Sequence, residues 1–122
     1  MLENSVIDSL VHILGKDNVL CEPYDLDRYS ADALTPFRAY GAESSFERIA
    51  DVVVRPGSTQ EVAQVVSLAN EQRIPVIPYG GGTGIMGGVL PVQGGIVLDL
   101  KRLNRILEIN PQDRTATVEA GV

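Results

Sequence analysis

The sequence is poor in the groups on which most catalysis and metal binding depend. It holds one cysteine (Cys21), one histidine (His12) and no tryptophan. A lone cysteine excludes an intramolecular disulfide and fits a reducing compartment. A lone histidine excludes a histidine-rich metal site and leaves a Ser-His-Asp triad with nothing in reserve. Bases are scarce as well: 10 Lys and Arg stand against 16 Asp and Glu, giving a net charge of −6 and a pI near 4.6. A nucleic-acid binder needs a cationic footprint to neutralise phosphates, and nothing in the chain supplies one. No run of about 18 apolar residues occurs, which excludes a membrane-spanning helix. The N-terminal stretch MLENSVIDSL carries acids where a secretory signal has bases, so secretion is not expected and a cytoplasmic location is.

What is present is the mix of a globular protein. Over 122 residues, 44% are hydrophobic and 21% charged, which suits one small domain or a piece of a larger one. Residues 1 to about 45 read as a helix followed by loop. Val6, Ile7, Leu10, Val11 and Leu14 recur on one helical face, with Asn4 or Ser5 to cap the start and Gly15 to end it. Beyond Cys21 the pattern dissolves around Glu22, Pro23, Asp25 and Asp27, and Tyr24, Tyr29 and Tyr40 lie scattered among polar residues. An extended connection or short turns are expected there.

The middle of the chain is more regular. Ala50 to Val54 reads as a buried strand ended by Pro56-Gly57. Ser58 and Glu61 have the spacing of a capping box, in which the serine contributes about 1 kcal/mol. Val62, Val65, Val66 and Ala69 then form one apolar stripe, so a helix is expected to about Gln72. Ile74 to Ile77 and Ile96 to Leu100 read as two more strands, the first parallel to Ala50–Val54 with a right-handed crossover. Residues 101 to 104 suggest a helical turn. Arg105 to Ile109 and Thr115 to Val122 read as two strands across the turn Asn110-Pro111-Gln112-Asp113. The chain stops inside the last of these, which suggests a domain that continues.

One segment carries chemistry. Six of the nine residues from Gly80 to Gly88 are glycine. Each costs about 0.4–1 kcal/mol against alanine through unfolded-state entropy, a noticeable load on a domain stable by about 5–15 kcal/mol. Consecutive turn N–H groups make a concave anion site, and missing Cβ atoms let an anion approach. With no Lys or Arg inside the loop, a phosphate would rest on amide dipoles, with the Thr83 hydroxyl beside them. The loop follows a parallel strand, where open α/β sheets bind ligands. The alternative is a plain glycine-rich turn packed under the sheet. Gly82-Thr83-Gly84-Ile85-Met86-Gly87 satisfies G-x-G-x-x-G, but that dinucleotide pattern needs a helix to begin within the glycines. Gly87, Gly88, Pro91, Gly94 and Gly95 forbid one, and the Gly-Lys-Ser/Thr of a nucleotide P-loop is missing.

Several strings occur in an order that resembles a known family. They are Arg55-Pro56-Gly57-Ser58-Thr59-Gln60-Glu61-Val62, Ile74-Pro75-Val76-Ile77-Pro78, Gly80-Gly81-Gly82-Thr83-Gly84 and Gly87-Gly88. Leu103-Asn104-Arg105-Ile106-Leu107-Glu108-Ile109-Asn110 and Thr117-Val118-Glu119-Ala120-Gly121-Val122 continue them. Together they resemble the FAD-linked oxidases of the p-cresol methylhydroxylase/vanillyl-alcohol oxidase type, within these the branch of glycolate oxidase and D-lactate dehydrogenase. The likeness runs from about residue 46 to the end. Tyr29 and Asp32 are similar, less specifically, to the branch's lead-in.

The resemblance implies an α+β fold. A lead-in of residues 1–45 would precede residues 46–122, the N-terminal part of an FAD-binding domain. Residues 46–100 would form its first lobe, a small parallel sheet with helices, and 105–122 the first strands of its second. The FAD pyrophosphate would lie against Tyr79, Gly80, Gly81, Gly82, Thr83 and Gly84, with Gly87 and Gly88 nearby. Relatives that bind flavin covalently use a histidine where this chain has Thr83, so non-covalent FAD is implied. Tyr79 stands where many relatives have arginine, so one charge contact is lost. The full-length enzyme would oxidise a 2-hydroxy acid such as glycolate or D-lactate to the 2-oxo acid and pass electrons to a carrier or to oxygen. Its catalytic groups would lie beyond Val122, and it could sit at a membrane surface. Sugar lactones, phenols and alkyl-glycerone phosphate are other substrates of such relatives.

A different class of reading is a small phosphate- or nucleotide-binding module without turnover. Among the remaining residues, Cys21 reads as inert, because no basic neighbour activates it. His12 reads as surface, Asp32 as a turn residue, and Lys101, Arg102 and Arg105 as a solvated cluster.

Overall fold

The computed structural model describes residues 2–31, 33 and 49–122. Asp32, Tyr40 and the expected boundary near residue 45 lie outside the described residues. The valine-rich run becomes strand β2 (Val52–Val54), and two further strands, β3 (Val76–Tyr79) and β4 (Ile96–Asp99), run parallel to it. A two-residue strand, β1 (Val19–Leu20), pairs antiparallel on the outer side of β2. The sheet order is β1-β2-β4-β3, so β4 is inserted between its two parallel predecessors, β2 and β3.

The pleat divides the core into two clusters. Val52, Val54, Ile96 and Leu98 pack with Val6, Leu10 and Leu14 of helix α1 (Asn4–Leu14) and with Val65 and Ala69 of the helix that follows β2. Val53 and Val97 face the other way, onto Ala50, Tyr29 and Tyr79. Val52, Val53, Val54, Ile96 and Val97 are all fully buried. Burying a valine or isoleucine contributes about 1.5–3 kcal/mol, and strands covered on both faces are the rule for parallel sheets.

The helix after β2 is α3 (Thr59–Gln72), with α2 (Pro23–Arg28) earlier in the chain. The capping box forms: the Glu61 N–H donates to Ser58 Oγ at 3.1 Å. Its return arm reaches one residue further out than the usual box, where Glu61 Oε2 accepts from the Gly57 N–H at 2.7 Å. Val65 and Ala69 are buried while Val66 is 44% exposed, so the apolar stripe is narrower than the pattern suggests.

Several local expectations are corrected. Helix α1 is capped at Glu3, whose carbonyl accepts from the Val6 and Ile7 N–H groups, so Asn4 and Ser5 are already helical. The segment after Cys21 is not simply extended. Pro23 starts α2, a position that needs no N–H. Ser30 then fixes that segment: its Oγ donates to the Leu26 carbonyl at 2.6 Å and accepts from the Ala50 N–H at 2.9 Å. Strand β3 begins at Val76 rather than Ile74, because the Ile74 N–H is used by the Ala69 carbonyl to close α3. Residues Lys101 and Arg102 form a turn rather than a helix.

After that turn, β5 (Ile106–Asn110) and β6 (Thr115–Val118) pair antiparallel as a separate two-stranded sheet. The Asn110 side chain builds the turn, accepting from the Gln112 and Asp113 N–H groups, both at 3.1 Å. Arg105 clasps Glu119 by Nε at 2.9 Å and Nη2 at 2.6 Å. Strand β6 ends at Val118, short of the expected Val122, because the Gly121 N–H turns back to the Leu103 carbonyl at 2.8 Å. Among the described residues, no helix is long and apolar enough to cross a membrane.

Candidate functional site

Strands β3 and β4 finish side by side, with Tyr79 opposite Asp99 at the C-terminal edge of the parallel sheet. The glycine loop leaves from this edge. Its residues form bends and short turns from Gly80 to Gly95 without a helix, as the glycines and Pro91 require. The dinucleotide arrangement with a helix N-terminus at the pyrophosphate is therefore absent.

The loop glycines are of two kinds. Gly82 serves the protein itself. Its φ is +68°, and a Cβ there would strike the Tyr79 hydroxyl. Gly80, Gly84 and Gly88 are different. Among the described residues nothing lies within 4 Å of the place a Cβ would take, and none has a positive φ. Among the described residues, neither packing nor backbone shape calls for glycine at these three positions. What glycine does provide there is bare backbone facing open space, a surface that a phosphate can approach. Thr83 is exposed beside them, within the same loop.

The edge is reinforced from an unexpected direction. Tyr29, just past α2, donates its hydroxyl to Asp99 Oδ2 at 2.6 Å, and Asp99 Oδ1 accepts from the Lys101 N–H at 3.0 Å. Asp99 is 2% exposed, and these bonds satisfy a carboxylate that would be costly to bury alone. The Tyr29 and Tyr79 rings meet edge to face with centroids 4.9 Å apart. Lys101 Nζ lies 5.1 Å and 5.2 Å from the two ring centroids and 4.0 Å from Asp99 Oδ2. Burial, then the bond to Asp99, pushes the Tyr29 phenol up to about 12. The Ala33 N–H donates to the Gly84 carbonyl at 3.0 Å, so the lead-in also touches the loop directly.

Sequence reasoning found the loop but not this support. One signal was available: Asp99 is an acid inside the apolar run Ile96–Leu100, and a buried acid needs a partner. Tyr79, expected among the ligand contacts, has its ring in the core at 8% exposure, leaving its main chain at the loop entrance. The basic residues do not form one solvated cluster. Lys101 rests on the tyrosines, Arg102 Nη1 donates to the Arg55 carbonyl at 2.7 Å, and Arg105 holds Glu119. Cys21 is exposed, and burial of its thiol followed by the Glu22 charge pushes its pKa up, which disfavours the reactive thiolate. His12 is exposed on α1.

A largely parallel sheet with a helix-free glycine loop at its C-terminal edge defines a small α+β domain. The chain belongs to the family described as FAD binding domain, which matches residues 50–122. It is 34% identical over all of its length to the glycolate oxidase protein GlcD of Bacillus subtilis, of which it covers 24%. To the D-lactate dehydrogenase of Archaeoglobus fulgidus it is 40% identical, over 79% of this chain and 20% of that protein. The crystal structure of p-cresol methylhydroxylase with substrate bound superposes with a TM-score of 0.77 at 30% identity, covering 98% of this chain and 22% of that one. The chain thus spans about a quarter or less of the proteins it resembles. The fold is accordingly that of the FAD-binding domains of p-cresol methylhydroxylase type.

Proposed function

We propose that the loop Gly80–Gly88 cradles the pyrophosphate of FAD, bound without a covalent link, as part of a flavin-dependent 2-hydroxy-acid dehydrogenase or oxidase. The observation that carries this reading is the open space beside the main chain at Gly80, Gly84 and Gly88, for which the described residues give no packing reason. Gly81 fits as well, since a Cβ there would make only ordinary contact with Thr83. In this reading the main-chain groups of Tyr79 to Gly84, with Gly87 and Gly88 beside them, orient the phosphates by N–H donation. The Thr83 hydroxyl adds a donor but cannot form the bond to flavin that a histidine forms. When bound, FAD would supply the redox chemistry, as the acceptor for the hydride of the substrate's α-C–H. The chain's own residues bind and orient, and none of them is assigned as a catalytic base.

The names of the relatives, glycolate oxidase and D-lactate dehydrogenase, support a 2-hydroxy acid as substrate and its 2-oxo acid as product. An electron carrier or oxygen would complete the turnover. The hairpin supports a division of the domain into two lobes, with residues 46–100 in the first and the β5–β6 strands opening the second. Ile106, Leu107 and Ile109 are 59%, 56% and 66% exposed, as strands awaiting cover would be. That pattern does not suit a self-sufficient phosphate module.

The test is a flavin assay on the purified full-length protein, denatured with acid. Yellow cofactor released to the supernatant and identified as FAD is the expected result. Flavin retained in the pellet would overturn the non-covalent assignment. A protein that takes up no flavin, even after reconstitution with FAD, would sink the cofactor reading and favour another phosphate ligand.

A further inference from the structure

The buried pair Tyr29–Asp99 joins residues 70 positions apart, yet neither has a place in the loop's own contact set. Their effect on the loop runs through Tyr79. The Tyr29 hydroxyl is fixed by Asp99 Oδ2 at 2.6 Å, and its ring meets the Tyr79 ring edge to face at 4.9 Å. The Tyr79 hydroxyl in turn occupies the space a Gly82 side chain would need, at the point where the loop takes its positive φ of +68°. Lys101 closes the far side of the pair, with its ammonium near both rings. Four residues beyond Tyr29, the Ala33 N–H holds the Gly84 carbonyl at 3.0 Å. The lead-in therefore grips the loop twice, once through a ring beneath Gly82 and once through a main-chain bond at Gly84. A loop with six glycines in nine residues has little stiffness of its own, and ordering it on binding would weaken affinity.

We propose that Tyr29 is a positioning residue of the phosphate loop: tied to Asp99, it wedges Tyr79 under Gly82 and presets the turn that receives the diphosphate. This rests on the flavin reading above, and extends the binding site to a residue of the lead-in, far upstream of the loop. Tyr29 touches no ligand in this scheme. It acts on diphosphate affinity through Tyr79.

The experiment uses the full-length holoprotein, stripped of flavin and titrated with FAD and, separately, with ADP as a probe of the diphosphate site alone. Each variant is measured well below its own melting temperature, so that the folded fraction is the same. Tyr29→Ala is expected to weaken FAD and ADP together, each about tenfold, while the visible spectrum of the bound flavin stays that of wild type. Tyr29→Phe, which keeps the ring contact but removes the bond to Asp99, is expected to recover only part of the loss. Tyr24→Ala, on the exposed face of α2, is expected to change nothing. A purely structural role would lower the melting temperature but leave both affinities within twofold, and that outcome overturns the proposal. If Tyr29→Ala does not fold, Asp99→Asn takes its place. It keeps both rings and loosens the tie, so FAD and ADP affinities equal to wild type would overturn the proposal as well. A wild-type protein that binds ADP but no FAD would refute the flavin reading and leave the positioning role to be decided by the ADP titration. A wild type that binds FAD beside an unaffected Tyr29→Ala would refute the positioning role alone.

Discussion

Glycines crowd the approaches to both ends of the parallel sheet, and the two groups do opposite work. At the N-terminal end of β4, Gly94 and Gly95 have φ of +70° and +96°. A Cβ on Gly95 would strike the Pro75 carbonyl oxygen, and one on Gly94 would lie 2.7 Å from Asp51 Oδ2. The Gly95 N–H donates to that same carboxylate at 2.8 Å. This end of the sheet is closed by protein. At the C-terminal end, Gly80, Gly84 and Gly88 have free space among the described residues and unremarkable φ. The comparison teaches that glycine abundance is not itself a sign of a ligand site. A glycine that the fold requires explains itself, and a glycine with open space beside it leaves room for another group to approach the main chain.

The sharpest way to break this contrast is Gly95→Ala. A side chain there meets both a forbidden φ and the Pro75 carbonyl, so the expected loss of stability is about 2–4 kcal/mol, read from urea unfolding. Gly84→Ala is its counterpart. It is expected to raise stability slightly, by about 0.4–1 kcal/mol, while weakening FAD about tenfold, or about 1.4 kcal/mol. Equal effects of the two substitutions on stability would abolish the distinction.

Two smaller effects refine it. The raised Tyr29 phenol favours the neutral form in the folded state. Its contribution is therefore fully present below about pH 10 and is lost as pH rises from there toward about 12. In Tyr29→Phe, the alkaline loss of stability is expected to be shallower over that window, while stability near neutrality falls by about 1 kcal/mol. Alkaline unfolding curves that superpose for the two proteins would contradict the Tyr29–Asp99 bond. The smallest change concerns Arg73, which also has a left-handed φ, of 55°, at the end of α3. An L-residue tolerates it there at a cost of about 1 kcal/mol. Arg73→Gly is expected to raise the melting temperature slightly, by about 0.5 kcal/mol in stability, which would show that positive φ alone does not demand glycine.

The legible parts of this chain were those whose signals are local. The run Val52–Val54, the box Ser58–Glu61 with its stripe, the strand Ile96–Asp99 and the turn at Asn110 each carry their pattern within a few residues. The loop was legible because glycine at that density is rare, and its family likeness gave it a ligand class. The start of β3 was legible only to within two residues, since the Ile74 N–H was claimed by the helix before it. Strand β1 was invisible, because Val19 and Leu20 are a strand only by virtue of Val53 and Val54 beside them. Helix α2 was missed because six residues with one leucine carry no apolar period.

By itself, then, the sequence determined which segments are apolar enough to be buried, where the chain must turn and where its backbone is left bare. Those properties are set by side chains acting on their near neighbours. Tertiary structure alone decided that β4 enters between β2 and β3, that Tyr29 reaches Asp99 across 70 positions, and that Tyr79 turns inward beneath Gly82. Each of these depends on which distant groups share a desolvated space, and a buried carboxylate finds its hydrogen-bond donor only after the sheet has brought the two together.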